Sequence, residues 1–405
     1  MDIKEISKFD STTNNFINNI DSLRGSLPIL LNQLKIAKED SIRDYDKFLK
    51  EKGEYLKESN KYNISPSVYW KFKPLENKMK NAQAAIILIN RSFIISLVSQ
   101  LDGLIRDLMQ IVIEITPAII TNSERQLTFS EINQFEDIEA AKIYLIEKEI
   151  ESVIRDNIEQ QFSWFEKKLN IQLRKDLPAY KTLIELTQRR NMFVHNDGKV
   201  SSQYLKICLS EGINHDGIKV NDILNSDEEY FELAYNCLFE IGFKLSQVLR
   251  RKLNPDSLEN ADRSFVNTTF ELVLNEQYKL ASQFFEFAKK YIKFTQKDFE
   301  LRTLLNQAQT YKWMGLETEC KALIDSIDLT ASNELFKMAC YILLDKFDKA
   351  ASSMKIVGNQ PAMINKEHYY DWPIFKEFRK TEFFKEAYEE IFGSEEPMTI
   401  EGNLS

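Results

Sequence analysis

Arg190, Asn191 and His195 place a guanidinium, an amide and an imidazole within six consecutive positions, Arg190-Asn-Met-Phe-Val-His195. An imidazole that titrates near neutrality moves protons, and a guanidinium binds a phosphate and the charge that develops on it, so the group suits phosphodiester chemistry. The three residues fall in a stretch, about 177–195, whose apolar spacing predicts a helix. At about 100° per residue, Leu183, Leu186, Phe193 and Val194 share one apolar arc with Arg190 at its middle. Asn191 and His195, four apart, border that arc on one side. Glu185, Arg189 and Met192 point the opposite way. A guanidinium on a core-facing stripe is expensive unless paired, so its placement needs a reason. One reason is structural: Arg190 caps a buried carboxylate, with Asp102 in the apolar run Leu97-Val-Ser-Gln-Leu-Asp-Gly-Leu-Ile105 as its partner, and His195 merely ends a helix. The other is chemical, with Asp102 lining the site.

The elements that must position these residues are helical. Residues 1–75 read as an N-terminal helical arm or hairpin that packs on the next domain or on a second copy: Phe16, Ile20, Leu23, Leu27, Leu30 and Leu31 recur at helical spacing, and the polar Ser59–Ser67 stretch is a connection. Residues 76–254 carry four helical stretches, about 75–115, 138–169, 177–195 and 226–253, with a further helix start at Ser130-Glu131. The third ends at Asn196-Asp197-Gly198, where Gly198 supplies a left-handed closing residue. Residues 255–405 carry the small and aromatic spacings of stacked helix pairs, as in Tyr278-Lys-Leu-Ala281 and Phe347-Asp-Lys-Ala350. They resemble tetratricopeptide-type units of irregular period, and Asp371–Phe392 reads as one amphipathic helix that caps them.

Composition agrees. With 11 glycines and 9 prolines in 405 residues, against average usage of about 7% and 5%, the chain lacks the turn residues of a sandwich or a glycine-rich α/β fold. It reads as all-α. Four cysteines without a CxxC pair and three histidines give no zinc pattern, so no metal and no cofactor is expected, and free thiols fit a reducing cytoplasm. The start of the chain does not resemble a signal peptide. The apolar runs Ala84–Asn90 and Ile111–Ile120 fall short of the roughly 18 residues that span a bilayer, so no membrane association is expected. The net charge is −9, of which residues 255–405 carry −7. The rest is balanced enough to hold a local basic patch. A P-loop, a GxSxG elbow, an HExxH helix and a dinucleotide fingerprint are all absent, which removes kinase, hydrolase and dehydrogenase readings.

The spacing Arg190-x4-His195, with Asn191 after the arginine, resembles the Arg-x4–6-His signature of HEPN domains. The likeness extends over Gln188-Arg-Arg-Asn-Met-Phe-Val-His-Asn-Asp-Gly198, then Val200 and Tyr204-Leu205, and covers about residues 76–254. It implies a four-helix HEPN-like bundle in which Arg190 and His195 are catalytic and Asn191 contacts the phosphate. It also implies two protomers pairing so that two motifs form one composite site. Cleavage of RNA would use the ribose 2′-hydroxyl without metal, in a toxin or antiphage defence effector. HEPN toxins regulated by a nucleotidyltransferase carry a tyrosine two residues after the histidine; Asp197 stands there, which argues against that regulation.

RNA is then expected at Arg189, Arg190 and Lys199. A rival expectation is a non-catalytic adaptor whose C-terminal helices bind a regulatory protein partner. Weaker candidates are the turn Asn214-His215-Asp216-Gly217, His368 among Tyr369, Tyr370 and Trp372, and Arg250-Arg251-Lys252 at a helix end, where they complement the dipole or touch RNA.

Overall fold

The computed structural model describes residues 3–121, 127–213, 217–329, 332–361 and 363–393, with side chains from residue 8 onward. The candidate turn at 214–216 lies outside them. The described residues form an all-α protein whose single paired sheet is a two-stranded hairpin. Its contacts divide it into two units, Met1–Leu253 and Asn254–Ser405.

In the first unit the order is α1 (Ile3–Lys52), β1 (Gly53–Leu56), β2 (Lys61–Ile64), α2 (Pro66–Ile115), the short α3 (Ala118–Thr121) and α4 (Phe129–Ile132), α5 (Ile138–Arg155), α6 (Ile158–Leu169), α7 (Ala179–His195), α8 (Ser202–Ser210) and α9 (Glu228–Leu253). α1 buries Phe9, Thr13, Phe16, Ile20, Leu27 and Leu31, a seam stepping by three, four and seven residues that keeps one side of a long helix facing its neighbours. It runs antiparallel to α2, with Lys8 on Glu114 at 2.6 Å, Asn19 on Gln100 at 2.9 Å and Lys78 on Asp44 at 3.2 Å. It also runs antiparallel to α9: Arg250 pairs with Asp10 at 2.5 Å, the Tyr235 hydroxyl donates to Asp21 at 2.5 Å, and Lys35 meets Glu228 at 2.8 Å. Through about its first 35 residues the arm packs on the helices that follow, as a wall of the bundle. Arg250, weighed above for RNA, is buried and committed to Asp10.

Two expectations change. The helix expected over 138–169 divides at Asp156-Asn157: Asp156 is extended, and the Asn157 side chain accepts from Gln160 N at 3.0 Å, a capping bond that starts α6 afresh. α2 is also long and apolar enough, by length and composition alone, to cross a bilayer, where the apolar runs were expected to fall short. Its C-terminal half packs as bundle core, burying Leu97, Val98, Leu101, Leu104, Ile105 and Leu108.

The second unit holds α10 (Leu258–Leu274), α11 (Tyr278–Tyr291), α12 (Lys297–Trp313), α13 (Glu317–Asp325), α14 (Glu334–Leu343), α15 (Phe347–Val357), the single turn α16 (His368–Asp371) and α17 (Glu382–Phe392). Three helix hairpins close with one turn geometry. Glu276, Gly315 and Asp345 are left-handed at φ 57°, 76° and 55°. The next amide in each case bonds back five residues, to the carbonyls of Leu272, Tyr311 and Tyr341 at 2.8–2.9 Å. Five residues after each left-handed position comes a small buried residue, Ala281, Cys320 or Ala350, which lets the paired helices approach. The amphipathic helix expected over 371–392 is broken instead. Pro373, which has no amide hydrogen to donate, opens a 3-10 turn, and Thr381 caps α17 by accepting from Phe384 N at 3.3 Å. His368 stacks on Trp372 at 4.5 Å within this aromatic cluster.

Gly242 of α9 is where α1 and α2 crowd against that helix. A Cβ there would stand 2.9 Å from Leu104 Cδ2 and closer still to Phe16. Alanine gains about 1 kcal/mol of helix propensity, but overpacking costs about 1–3 kcal/mol. Gly242→Ala is expected to lower the unfolding free energy in urea; an equal or higher midpoint would show that these helices have room to part.

Candidate functional site

α7 carries the motif, and α2 fixes where it points. The last turn of α7 closes by a left-handed exit: the amides of Asn196 and Gly198 both donate to the Met192 carbonyl at 2.9 Å, and Asp197 and Gly198 have φ of 49° and 74°. The glycine expected to close this helix does so. It has a second reason to be glycine, since a Cβ would stand 2.8 Å from Arg91 Nη2. Arg91, buried on α2, lies 5.6 Å from the centroid of the Phe193 ring and donates to Asp197 at 2.7 Å. The chain then forms a single bridge, Lys199 to Ile223, with Leu224 N donating to the Gly198 carbonyl at 2.9 Å.

Eleven residues along α2 from Arg91, Asp102 accepts from Arg190 Nη2 at 3.0 Å. Each side chain of the pair is 27% exposed, so the pair anticipated from sequence is present at the edge of the core. Burial pushes the Asp102 carboxyl above its ordinary 3.8, against the opposing pull of Arg190 and Arg106. Arg190 Nε is buried without a partner. A guanidinium has five N–H groups and Asp102 takes one, leaving donors for an anion. Asn191 is half-buried, and Val194, His195, Asn196, Asp197 and Lys199 are exposed. The structure thus brings Arg190, Asp102, Asn191 and His195 to one region where α7 leaves the core.

Val194 was expected on the core-facing arc, yet it is 47% exposed. Arg189, expected to meet RNA, is buried. Its Nε donates to Glu185 at 2.7 Å, its Nη1 donates to the Asn225 carbonyl at 2.7 Å, and its guanidinium carbon lies 3.9 Å from the centroid of the Tyr230 ring. Glu185 also accepts from the Tyr204 and Tyr230 hydroxyls at 2.5 and 2.6 Å. Burial and the Glu185 carboxylate raise both phenols. Burial pulls Arg189 toward its neutral form, but Tyr230 and Glu185 outweigh it and hold it charged. The correction has a geometric cause: α7 is packed by α2 on one side and by α8 and α9 on another, so its buried sector is wider than one apolar stripe. The Arg91 clamp and the Glu185 network were missed. A lone arginine in the apolar run of α2 and the four-residue spacing of Glu185 and Arg189 were the signals available.

No family model, curated protein or solved structure matches the chain. Its chemistry must therefore be read from its own residues.

The two adjacent arginines make a test. Arg189→Met strands a buried carboxylate and is expected to cost about 3–5 kcal/mol; Arg190→Ala uncovers a part-exposed one and is expected to cost no more than about 1 kcal/mol. Urea unfolding of both variants checks this, and equal losses would refute the division of roles. Asp102 adds a pH dependence. Because its folded value is raised, its contribution is fully present below about 3.8 and is lost as pH rises through the higher folded value. Asp102→Asn is expected to flatten that slope in unfolding measured at stepped acidic pH.

Proposed function

We propose that the chain is a metal-independent endoribonuclease of HEPN-like type. The observation that carries this reading is Arg190 held at the core edge by Asp102 with donors to spare, on the same helix end as half-buried Asn191 and solvent-facing His195. In the reaction, His195 takes the proton of the ribose 2′-hydroxyl, whose oxygen attacks the adjacent phosphorus. Arg190 and Asn191 hold the non-bridging oxygens as negative charge builds on them. The P–O5′ bond breaks, the leaving 5′-oxygen takes up a proton, and the products are a 2′,3′-cyclic phosphate and a 5′-hydroxyl.

One imidazole serves as base, and a second proton donor is needed for the leaving group. A second copy of the chain supplies it if two α7 ends face one another across a two-fold. Exposed apolar surface beside the motif supports such pairing: Val194 next to His195, and Ile87 and Leu88 one turn before Arg91 on α2. The setting consistent with this activity is a defence effector or toxin. The adaptor reading draws on one observation, that the Arg190–Asp102 pair closes within a single chain, as a purely structural arginine would require.

Purified protein in EDTA is expected to cleave total RNA or tRNA to cyclic-phosphate ends. His195→Ala and Arg190→Ala are each expected to reduce the rate about 100-fold or more while staying folded. Cleavage that needs added metal, or that survives both substitutions, would refute the assignment. Folded wild type that neither cleaves RNA nor harms cells in a His195-dependent way would leave the adaptor. Val194→Asp is expected to shift the protein toward monomer in light scattering and to lower cleavage in parallel.

A further inference from the structure

The region of the first unit farthest along α1 from its α9 contacts differs in composition from the rest. The ion pair at Lys35 ties α1 to α9, and the 17 residues from there to Lys52 carry α1 on by about 25 Å at 1.5 Å per residue. The strand hairpin β1–β2 closes this arm, and α2 returns from it. Residues 47–80 hold nine lysines and four glutamates, a net of +5 in a chain of net −9. Lys73 and Lys80 share Glu76, and Lys78 pairs with Asp44. Among the described residues no carboxylate pairs with Lys47, Lys50, Lys52, Lys57, Lys61 or Lys71.

Aromatic rings lie among these cations. Tyr55 and Tyr62 face each other across the hairpin register with centroids 5.2 Å apart, and the Tyr55 hydroxyl donates to Asn60 at 2.7 Å, fixing the turn. Trp70 is 68% exposed with Lys71 Nζ 5.1 Å from its ring centroid, and Tyr69 is 49% exposed. Four large rings at solvent exceed what closing a hairpin requires. Rings interleaved with unpaired cations are the chemistry that holds single-stranded nucleic acid, since bases stack on the rings and phosphates meet the lysines. A tip made for lipid would need aliphatic bulk, and only Leu56 is exposed among the aliphatic residues of the hairpin itself.

We propose that this tip is a single-stranded RNA-binding platform, with Tyr55, Tyr62, Tyr69 and Trp70 stacking bases and Lys57, Lys61 and Lys71 contacting phosphates. The choice of RNA over DNA rests on the nuclease reading; the platform itself rests on the tip alone. The test uses the full chain carrying His195→Ala, fluorescence anisotropy, and a labelled 20-nucleotide oligouridine beside a duplex RNA of equal length. Tighter binding of the single strand is expected. Tyr62→Ala with Trp70→Ala should weaken it about 10-fold or more, and Lys57→Gln with Lys61→Gln and Lys71→Gln should reduce the magnitude of its salt slope by about 2. These positions are exposed, and circular dichroism verifies that the variants fold. Unchanged affinity in both variants, or equal affinity for the duplex, overturns the platform. So does binding to phosphatidylserine-containing vesicles in place of RNA. Oligouridine binding lost in the tip variants, with neither cleavage nor His195-dependent harm to cells by wild type, upholds the platform and sinks the nuclease. Cleavage by wild type with tip variants that bind normally does the reverse.

Discussion

An apolar helix that carries charges must find a partner for each. α2 buries its C-terminal half as core of the bundle and still contains Arg91 and Asp102, which are answered by Asp197 in the turn that leaves α7 and by Arg190 on α7 itself. The two pairs have opposite polarity, so one antiparallel register of α7 on α2 matches both; sliding by a turn would leave buried Arg91 and the part-buried Arg190 and Asp102 without these partners. That register decides where the motif ends up. Arg190 is anchored before the helix ends, and His195 emerges where Asn196, Asp197 and Gly198 turn the chain away from α2. The closing glycine and the Arg91 clamp belong to one arrangement, because the guanidinium occupies the space a side chain at 198 would need.

The opposite side of α7 is held by different means. Glu185 gathers two phenols and a guanidinium from three helices into a network with no solvent-facing member at its centre. Neighbouring arginines thus have opposite characters. Arg189 is buried and bonded through both Nε and Nη1, whereas Arg190 is part-exposed and bonded through Nη2 alone. Arg91 and Arg250 also leave a buried Nε unpaired; what sets Arg190 apart is its exposure, 27% of the side chain against 10% and 4%.

Much of this was legible in the residues. Sparse glycine and proline together with helical spacing give the all-α class, and the positions of α7, α9 and the left-handed exit follow from capping and turn chemistry. The Arg190–Asp102 pair was legible because a charge on an apolar stripe requires a partner and α2 offers a carboxylate in its own apolar run. The fate of Arg189 was not. A helical wheel assumes one buried face, while α7 is enclosed on two, and the second enclosure comes from α8 and α9, whose docking no local pattern encodes. The division of 138–169 and of 371–392 was missed for a local reason: Asn157 and Thr381 prefer capping bonds, and Pro373 has no amide hydrogen to give, preferences that outweigh an otherwise continuous apolar period.

The continuity of α2 has a mechanical meaning. Trp70 at the tip and Arg91 and Asp102 at the motif belong to one helix, with about 30 Å between Trp70 and Arg91 at 1.5 Å per residue, interrupted in its hydrogen bonding only at Pro74, one turn beyond Trp70, which has no amide hydrogen to give. The path from the tip to both ion pairs therefore runs along one helix axis and through no loop, and Pro74 is the point on it where the helix can yield. The tip and the motif are two stations on a single axis, and what binds at one stands at a fixed number of helical turns from the other.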